Sequence, residues 1–232
     1  MEKIRDNYTD FINGHDHEDV IVGMAIHDIL QSGISSDTLK TFGVKLFNGT
    51  KEKLTENLNF NTLPIDFTKH KFIEFPYFNQ KGKLLFYRYK ILPPPAKDTI
   101  TSNYFSANNR YLHPKNVPSI PYVLSKNIQN KTNIPVWITE GEKKGLKLFQ
   151  HHRSVIAISG VWMFNSSEDA DGIHPLKYEL DTYKWKGRTV YLGFDNDVWT
   201  NHGSKLAIFG LAFKLFQKRA LVKIITWEGQ KG

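Results

Sequence analysis

The chain has 232 residues, 40% apolar and 13% aromatic, with 31 Lys and Arg against 23 Asp and Glu. Those figures allow one large domain or two small ones, each with a core, and exclude a disordered chain. The absence of cysteine excludes disulfides and thiolate metal sites and fits a reducing, cytoplasmic setting, and no apolar run is long enough to span a bilayer or serve as a secretory signal.

Residues 1–20 carry six acids (Glu2, Asp6, Asp10, Asp16, Glu18, Asp19) against Lys3 and Arg5, a net −4 that leaves +12 on the rest of the chain. Such an excess favours polyanionic partners through counterion release, although a solvated basic surface accounts for it equally well. Residues 1–18 read as a flexible acidic arm, and His15-Asp16-His17 inside it as incidental, not as a metal cluster.

Residues 19–131 read as a small basic α+β domain. Val22, Ile26, Ile29 and Leu30 recur at helical spacing, with Gly33 as a stop. Ser35-Ser36-Asp37 then caps a second helix through Leu39 and Phe42, ended by Gly43, which makes a helical hairpin. Phe72–Phe78 and Lys83–Lys90 form a β-hairpin around Asn79-Gln80-Lys81-Gly82. Lys83, Leu85, Tyr87 and Tyr89 share one face of its second strand, and Leu84, Phe86, Arg88 and Lys90 the other. Neither face is wholly apolar, so part of the sheet is expected to meet solvent or a ligand. Pro93-Pro94-Pro95 ends the element, and Thr101–Lys131 reads as extended loop.

The texture changes at about Pro135, and residues 132–232 read as an α/β domain. Short apolar strands at Val136–Thr139, Val155–Ile158, Thr189–Phe194 and Val222–Trp227 alternate with helices at Lys143–Gln150 and Ser204–Lys218. Strands apolar on both faces imply a Rossmann-like parallel sheet covered by helices on both sides. The chain stops on Gln230-Lys231-Gly232 directly after the last strand, as a piece of a longer protein would.

Ligands bind outside the carboxyl ends of such strands. The first strand runs into Glu140-Gly141-Glu142 and the third into Asp195-Asn196-Asp197. If these strands are neighbours, Glu140, Asp195 and Asp197 converge, and their mutual repulsion calls for a hard cation, Mg²⁺ or Mn²⁺. In an extended segment Asp195 and Asp197 face the same way. Each motif also has a plainer reading, a helix cap for E-G-E and a polar turn for D-N-D. Their joint occurrence in this order favours the metal site.

The motifs Ile138-Thr139-Glu140-Gly141-Glu142, Ile158-Ser159-Gly160-Val161 and Leu192-Gly193-Phe194-Asp195-Asn196-Asp197 resemble those of the Toprim domain. That metal-dependent module is shared by bacterial-type primases, topoisomerases and some nucleases. The T-E-G-E, S-G-V-W and F-D-N-D variant is most similar to the phage and plasmid primase-helicase type. Ser32–Ser35, Phe75–Asn79, Tyr87–Tyr89 and Tyr111–Pro114 weakly resemble the basic domain that precedes Toprim there. The resemblance implies metal-dependent nucleotidyl transfer that makes short RNA primers on single-stranded DNA from nucleoside triphosphates, with a helicase domain or partner downstream. Two departures stand out. The chain has no cysteine-rich zinc module, and the acidic pair often found after the fourth strand is missing.

On that reading Glu140, Asp195 and Asp197 are catalytic metal ligands, and Glu142 is a further ligand or a helix cap. Lys143 and Lys144 open the following helix, where cations oppose the dipole, so they contact phosphate or stand solvated. Arg88, Lys90 and Arg110 are candidates for template or nucleotide contact, and Tyr87, Tyr89 and Tyr104 for base stacking. His151-His152-Arg153 fits local capping. Trp162 and Trp199 lie past strand ends, lining the site or packing locally. A Toprim nuclease and a catalytically incomplete nucleic-acid-binding module are the alternatives.

Overall fold

In the computed structural model the chain divides into two compact units, residues 1–118 and 119–232. Residues 7–102, 105–106, 108–125, 128–129, 131–151, 154–167 and 174–226 are described, without the side chain of Asp197.

The first unit opens on a single helical turn, α1 (Thr9–Ile12), and the helical hairpin expected from the sequence, α2 (Val20–Gln31) and α3 (Ser36–Phe42). Capping sets their ends. Asp19 accepts from the amides of Ile21 and Val22, Ser35 accepts from Thr38, and Gly43 closes α3 in the left-handed region at φ 65°. Strand β1 (Lys45–Leu46) follows, then α4 (Lys51–Asn57), β2 (Lys71–Phe78), β3 (Leu84–Leu92) and β4 (Tyr111–Leu112). They form one antiparallel sheet in the order β1-β2-β3-β4.

Two expectations change here. The arm is not free along its length: Tyr8, Phe11 and Ile12 are buried, and Tyr8 Oη donates to the carbonyl of Ile34 at 2.8 Å. His15 Nε2 lies 2.9 Å from the carbonyl oxygen of Phe47, a structural contact in keeping with the incidental reading of His15-Asp16-His17. The hairpin is also covered on both faces over most of its length. Tyr89 and Ile91 join the core with Phe47, Leu54, Phe72 and Leu112, while Lys90 reaches Asp28 of α2 at 2.6 Å. Within β2 and β3 only Phe78, Leu84 and Leu85, at the turn end, stay exposed.

The second unit contains β5 (Tyr122–Val123), β6 (Val136–Glu140), α5 (Glu142–Gln150), β7 (Ser154–Ile158), α6 (Tyr178–Asp181), β8 (Thr189–Gly193), α7 (His202–Gln217) and β9 (Leu221–Ile224). The sheet order is β5-β7-β6-β8-β9. Strands β7, β6, β8 and β9 are parallel, as expected, and β5 adds an antiparallel edge against β7. Residues 119–131 therefore belong to the α/β unit and are not linker, which moves the expected boundary at 131/132 toward the N-terminus. Trp227, expected to end the last strand, lies outside the described residues.

Alternation assigns the two sheet faces. Val136, Ile138, Val190 and Leu192 pack into one core with Ile208 and Leu211 of α7. On the other face, a Cβ added at Gly145 of α5 would meet Ala157 Cβ at 2.9 Å, so this glycine allows the helix to lie close on β7. Helix α7 is apolar on two sides. It buries Ala207, Ile208, Leu211 and Leu215, and leaves Leu206, Phe209, Phe213 and Phe216 exposed. Beside the start of β8, the fully buried Arg188 donates to the carbonyls of Ile134 and Lys131, tying the entry of β6 to β8.

The first unit also holds a buried carboxyl. Glu74 on β2 is pushed up to about 7 by burial, an effect that Lys45 Nζ at 3.8 Å only partly offsets. Unfolded, the group ionises near 4.5, so between these values the unfolded chain binds fewer protons and stability falls as pH rises. We expect Glu74→Gln to gain stability over the wild-type chain at pH 8 relative to pH 5, by on the order of 2–3 kcal/mol. Parallel thermal melts of both proteins across that range will check this.

Candidate metal and nucleotide site

The first strand of the expected site is β6, and its parallel neighbours are β7 on one side and β8 on the other. The connection from β6 runs outward to β7, and that from β8 outward to β9, in opposite directions. The β6–β8 pair is therefore the topological switch point, where the carboxyl ends of the strands open a crevice. Thr139 pairs with Gly193 across it, and the Thr139 hydroxyl donates to the Gly193 carbonyl at 2.7 Å in a buried bond. Glu140 follows Thr139 as the last residue of β6, and Phe194-Asp195 follow Gly193 at the end of β8. The condition set by the sequence, that these two strands be neighbours, is met.

Gly141 turns the chain from β6 into α5. Its backbone sits at φ 84°, ψ 144°, a region that essentially only glycine occupies, and its amide donates to the Ile158 carbonyl at 2.8 Å. Glu142 is the first helical residue of α5 and is buried, at 1% exposure. Gly141 holds the N-cap position, and no side chain caps it. Burial pushes the Tyr122 hydroxyl on β5 well above its ordinary range, and the negative charge of Glu142 adds to it.

Asp195 is about one-fifth exposed, and its Oδ1 forms an ion pair with Nζ of Lys144 in the first turn of α5. The pair spans the switch point, from the segment after β6 to the segment after β8. Past Asp195 the chain does not stay extended. Residues Asn196–Trp199 form a 3₁₀ turn in which the Val198 amide donates to the Asp195 carbonyl at 3.0 Å. Burial of Val198 in the core drives this turn. The extended segment expected from Asp195 to Asp197 is therefore not formed, and the side chain of Asp197 lies outside the described residues.

The donors gathered at this edge are carboxylate oxygens. That chemistry suits Mg²⁺ or Mn²⁺ and disfavours soft metals. Among the described residues no group of three acids or histidines has metal-holding geometry. Of the expected set, Glu140, Glu142 and Asp195 are described. Lys143 is partly buried at the start of α5. Trp162 and Trp199 are 44% and 37% exposed past the ends of β7 and β8, with Trp199 edge-on to Phe209 at 6.3 Å. His151 takes the C-cap position of α5, as expected, while His152 and Arg153 lie outside the described residues.

The candidate contacts of the first unit fare differently. Tyr89 is fully buried and accepts a bond from Asn57 at 2.7 Å, so it is a core residue and no stacking platform. Lys90 is 8% exposed and held by Asp28, which corrects its assignment to template contact. Arg88 lies over the Tyr111 ring at 4.5 Å, and Tyr87 is half-buried beside Tyr89. Arg110 is exposed. Tyr104 lies outside the described residues. Sequence reasoning missed Asp28 and Tyr111 as partners, because neither lies near the hairpin in sequence.

A family model described as a domain of unknown function, DUF3854, matches residues 125–232. No curated protein matches the chain by sequence. In three dimensions the chain is similar to a DNA primase domain from Pseudomonas aeruginosa, at 15% identity and TM-score 0.57, over 99% of this chain and 71% of that one. It is also similar to a DnaG primase catalytic domain bound to single-stranded DNA, at 12% identity and TM-score 0.53, over 100% and 74%. The Aquifex aeolicus primase, with zinc-binding and RNA polymerase domains, matches at 13% and TM-score 0.54 over 97% of this chain. This chain spans 53% of that structure's length. Both units thus have the fold of bacterial primase catalytic cores.

Gly141→Ala tests the turn that carries the site. A Cβ there meets no atom within 4 Å, so the cost is conformational, on the order of 1–3 kcal/mol. We expect a lowered thermal midpoint with the secondary structure retained, measured by circular dichroism.

Proposed function

We propose that this chain is the catalytic core of a primase-type nucleotidyltransferase that makes short RNA primers on single-stranded DNA, of the phage or plasmid primase-helicase type. The observation that carries this reading is the placement of Glu140 and Asp195 on adjacent strand ends at the switch point of a sheet with a primase-core fold. Divalent metal, when bound, supplies a Lewis acid that lowers the pKa of the attacking hydroxyl and offsets charge on the leaving pyrophosphate.

The chain's own residues do the rest. Glu140, Asp195 and Asp197 offer the oxygen ligands. The Thr139–Gly193 bond and the turn at Gly141 keep the two strand ends at fixed separation, as transfer between two bound substrates requires. Glu142, buried against β5, anchors the first turn of α5 and so fixes the base of Lys143 and Lys144. In this reading Lys143, Lys144 and Arg110 serve phosphates. Tyr87 and Arg88 serve the template strand, which neutralises charge on such side chains and stacks on such rings.

A second reading has its own support. The ion pair between Lys144 and Asp195 neutralises an expected metal ligand with a side chain, as in a nucleic-acid-binding module whose acidic site has lost its chemistry. A Toprim-type nuclease would use the same carboxylates to activate water.

Incubation with single-stranded DNA, labelled ribonucleotides and Mg²⁺ or Mn²⁺ separates the three. We expect primer-length products that Asp195→Ala abolishes while DNA affinity persists. Degraded template would instead indicate a nuclease, and a retarded, intact strand without products would leave only binding.

A further inference from the structure

Lys143 and Lys144 stand in the first turn of α5, where unpaired amides and the helix dipole repel cations by about 0.3–1 kcal/mol each. A lysine in that position calls for compensation, and Lys144 finds it in Asp195. The pair is partly exposed and bridges two segments of the fold. Asp195 is only 21% exposed and Lys144 41%, and the two residues stand on opposite sides of the β6–β8 crevice. The Lys144 ammonium therefore sits on the carboxylate expected to receive a divalent cation.

We propose that Lys144 is the resident counter-ion of Asp195 in the metal-free protein, and that a divalent cation reaches Asp195 only by displacing it. This inference rests on the metal-site reading above. The negative charge that strand pairing concentrates at this edge needs a cation in every state of the protein. Lys144 provides it in one state and metal in the other. The side chain is long and flexible enough to leave Asp195 while its backbone stays in α5. Once released, the ammonium remains at the mouth of the same crevice, where an anionic ligand such as a triphosphate would take it up. Metal loading and polyphosphate binding then reinforce one another, because each removes a partner the other must otherwise break. Lys144 acts through Asp195, so it is a positioning residue.

The test is titration of the full chain with Mn²⁺ alone, followed by calorimetry, for wild type, Lys144→Met, Lys144→Arg and Asp195→Asn. Displacement of an ion pair this exposed predicts that Lys144→Met binds Mn²⁺ roughly three- to tenfold more tightly than wild type, since the metal no longer competes with an ammonium. Lys144→Arg should bind close to the wild-type value, and Asp195→Asn should lose the site. A lysine with only a structural role would give unchanged or weaker Mn²⁺ binding in a folded Lys144→Met protein, and that result overturns the inference while leaving the metal site intact. Wild-type binding that survives Asp195→Asn would instead overturn the metal site itself, and the inference with it. Lys144→Gln gives the same comparison should the methionine variant not fold, with thermal melts reporting folding for each protein.

Discussion

Parallel pairing of β6 with β8 is the constraint on which the carboxyl edge of the second unit depends. The two strands lie about fifty residues apart in sequence but share a ladder from Val136 with Val190 to Thr139 with Gly193. Their ends carry acids into one crevice because neither strand has a helix between it and the other at that edge. The Thr139 hydroxyl locks the last rung. The ion pair at the site follows from this juxtaposition: the lysine in the first turn of α5 meets the carboxylate of Asp195.

The second unit was largely legible in the sequence. Strands buried on both faces read as continuous apolar runs, and Val136–Thr139 and Val155–Ile158 could hardly be anything else. What the sequence withheld was pairing. Strand order, the short antiparallel β5 and the partnership of Lys144 with Asp195 are long-range facts with no local signature. Residues Lys51–Asn57 were missed as a helix because only Leu54 among them is buried, too little for a periodic signal. The D-N-D segment misled for the opposite reason. Its local pattern suited an extended chain, but Val198 has its place in the core, and reaching it coils the backbone directly after Asp195.

The first unit shows why basic and aromatic residues are hard to assign one at a time. Lys90 and Tyr89 alternate along β3 as exposed and buried residues should, and with one open face Lys90 would meet solvent. Instead α2 covers that face and supplies Asp28, sixty-two positions earlier. Taking the ammonium out of water is tolerable only because a carboxylate comes with it. Arg88 solves the same problem with the face of Tyr111. Lys90 is thus spent inside the fold, and a count of basic residues overstates what is free for phosphate.

The ammonium on Asp195 need not disqualify the site as a metal centre, and magnitudes show why. A partly exposed lysine–carboxylate pair contributes roughly 0–1 kcal/mol, because water screens it and a long side chain gives up rotamer freedom to hold it. A divalent ion brings twice the charge, has no side chain to order, and draws on more than one carboxylate at once. The comparison favours metal wherever a second oxygen ligand is within reach, and in the proposed site Glu140 at the end of the adjacent strand is that ligand. With metal scarce, the same arithmetic favours the lysine, since a lone half-buried carboxylate beside other acids is worse than a weak ion pair. An edge built this way is neutralised in both conditions, and Asp195 keeps its place at the crevice in each.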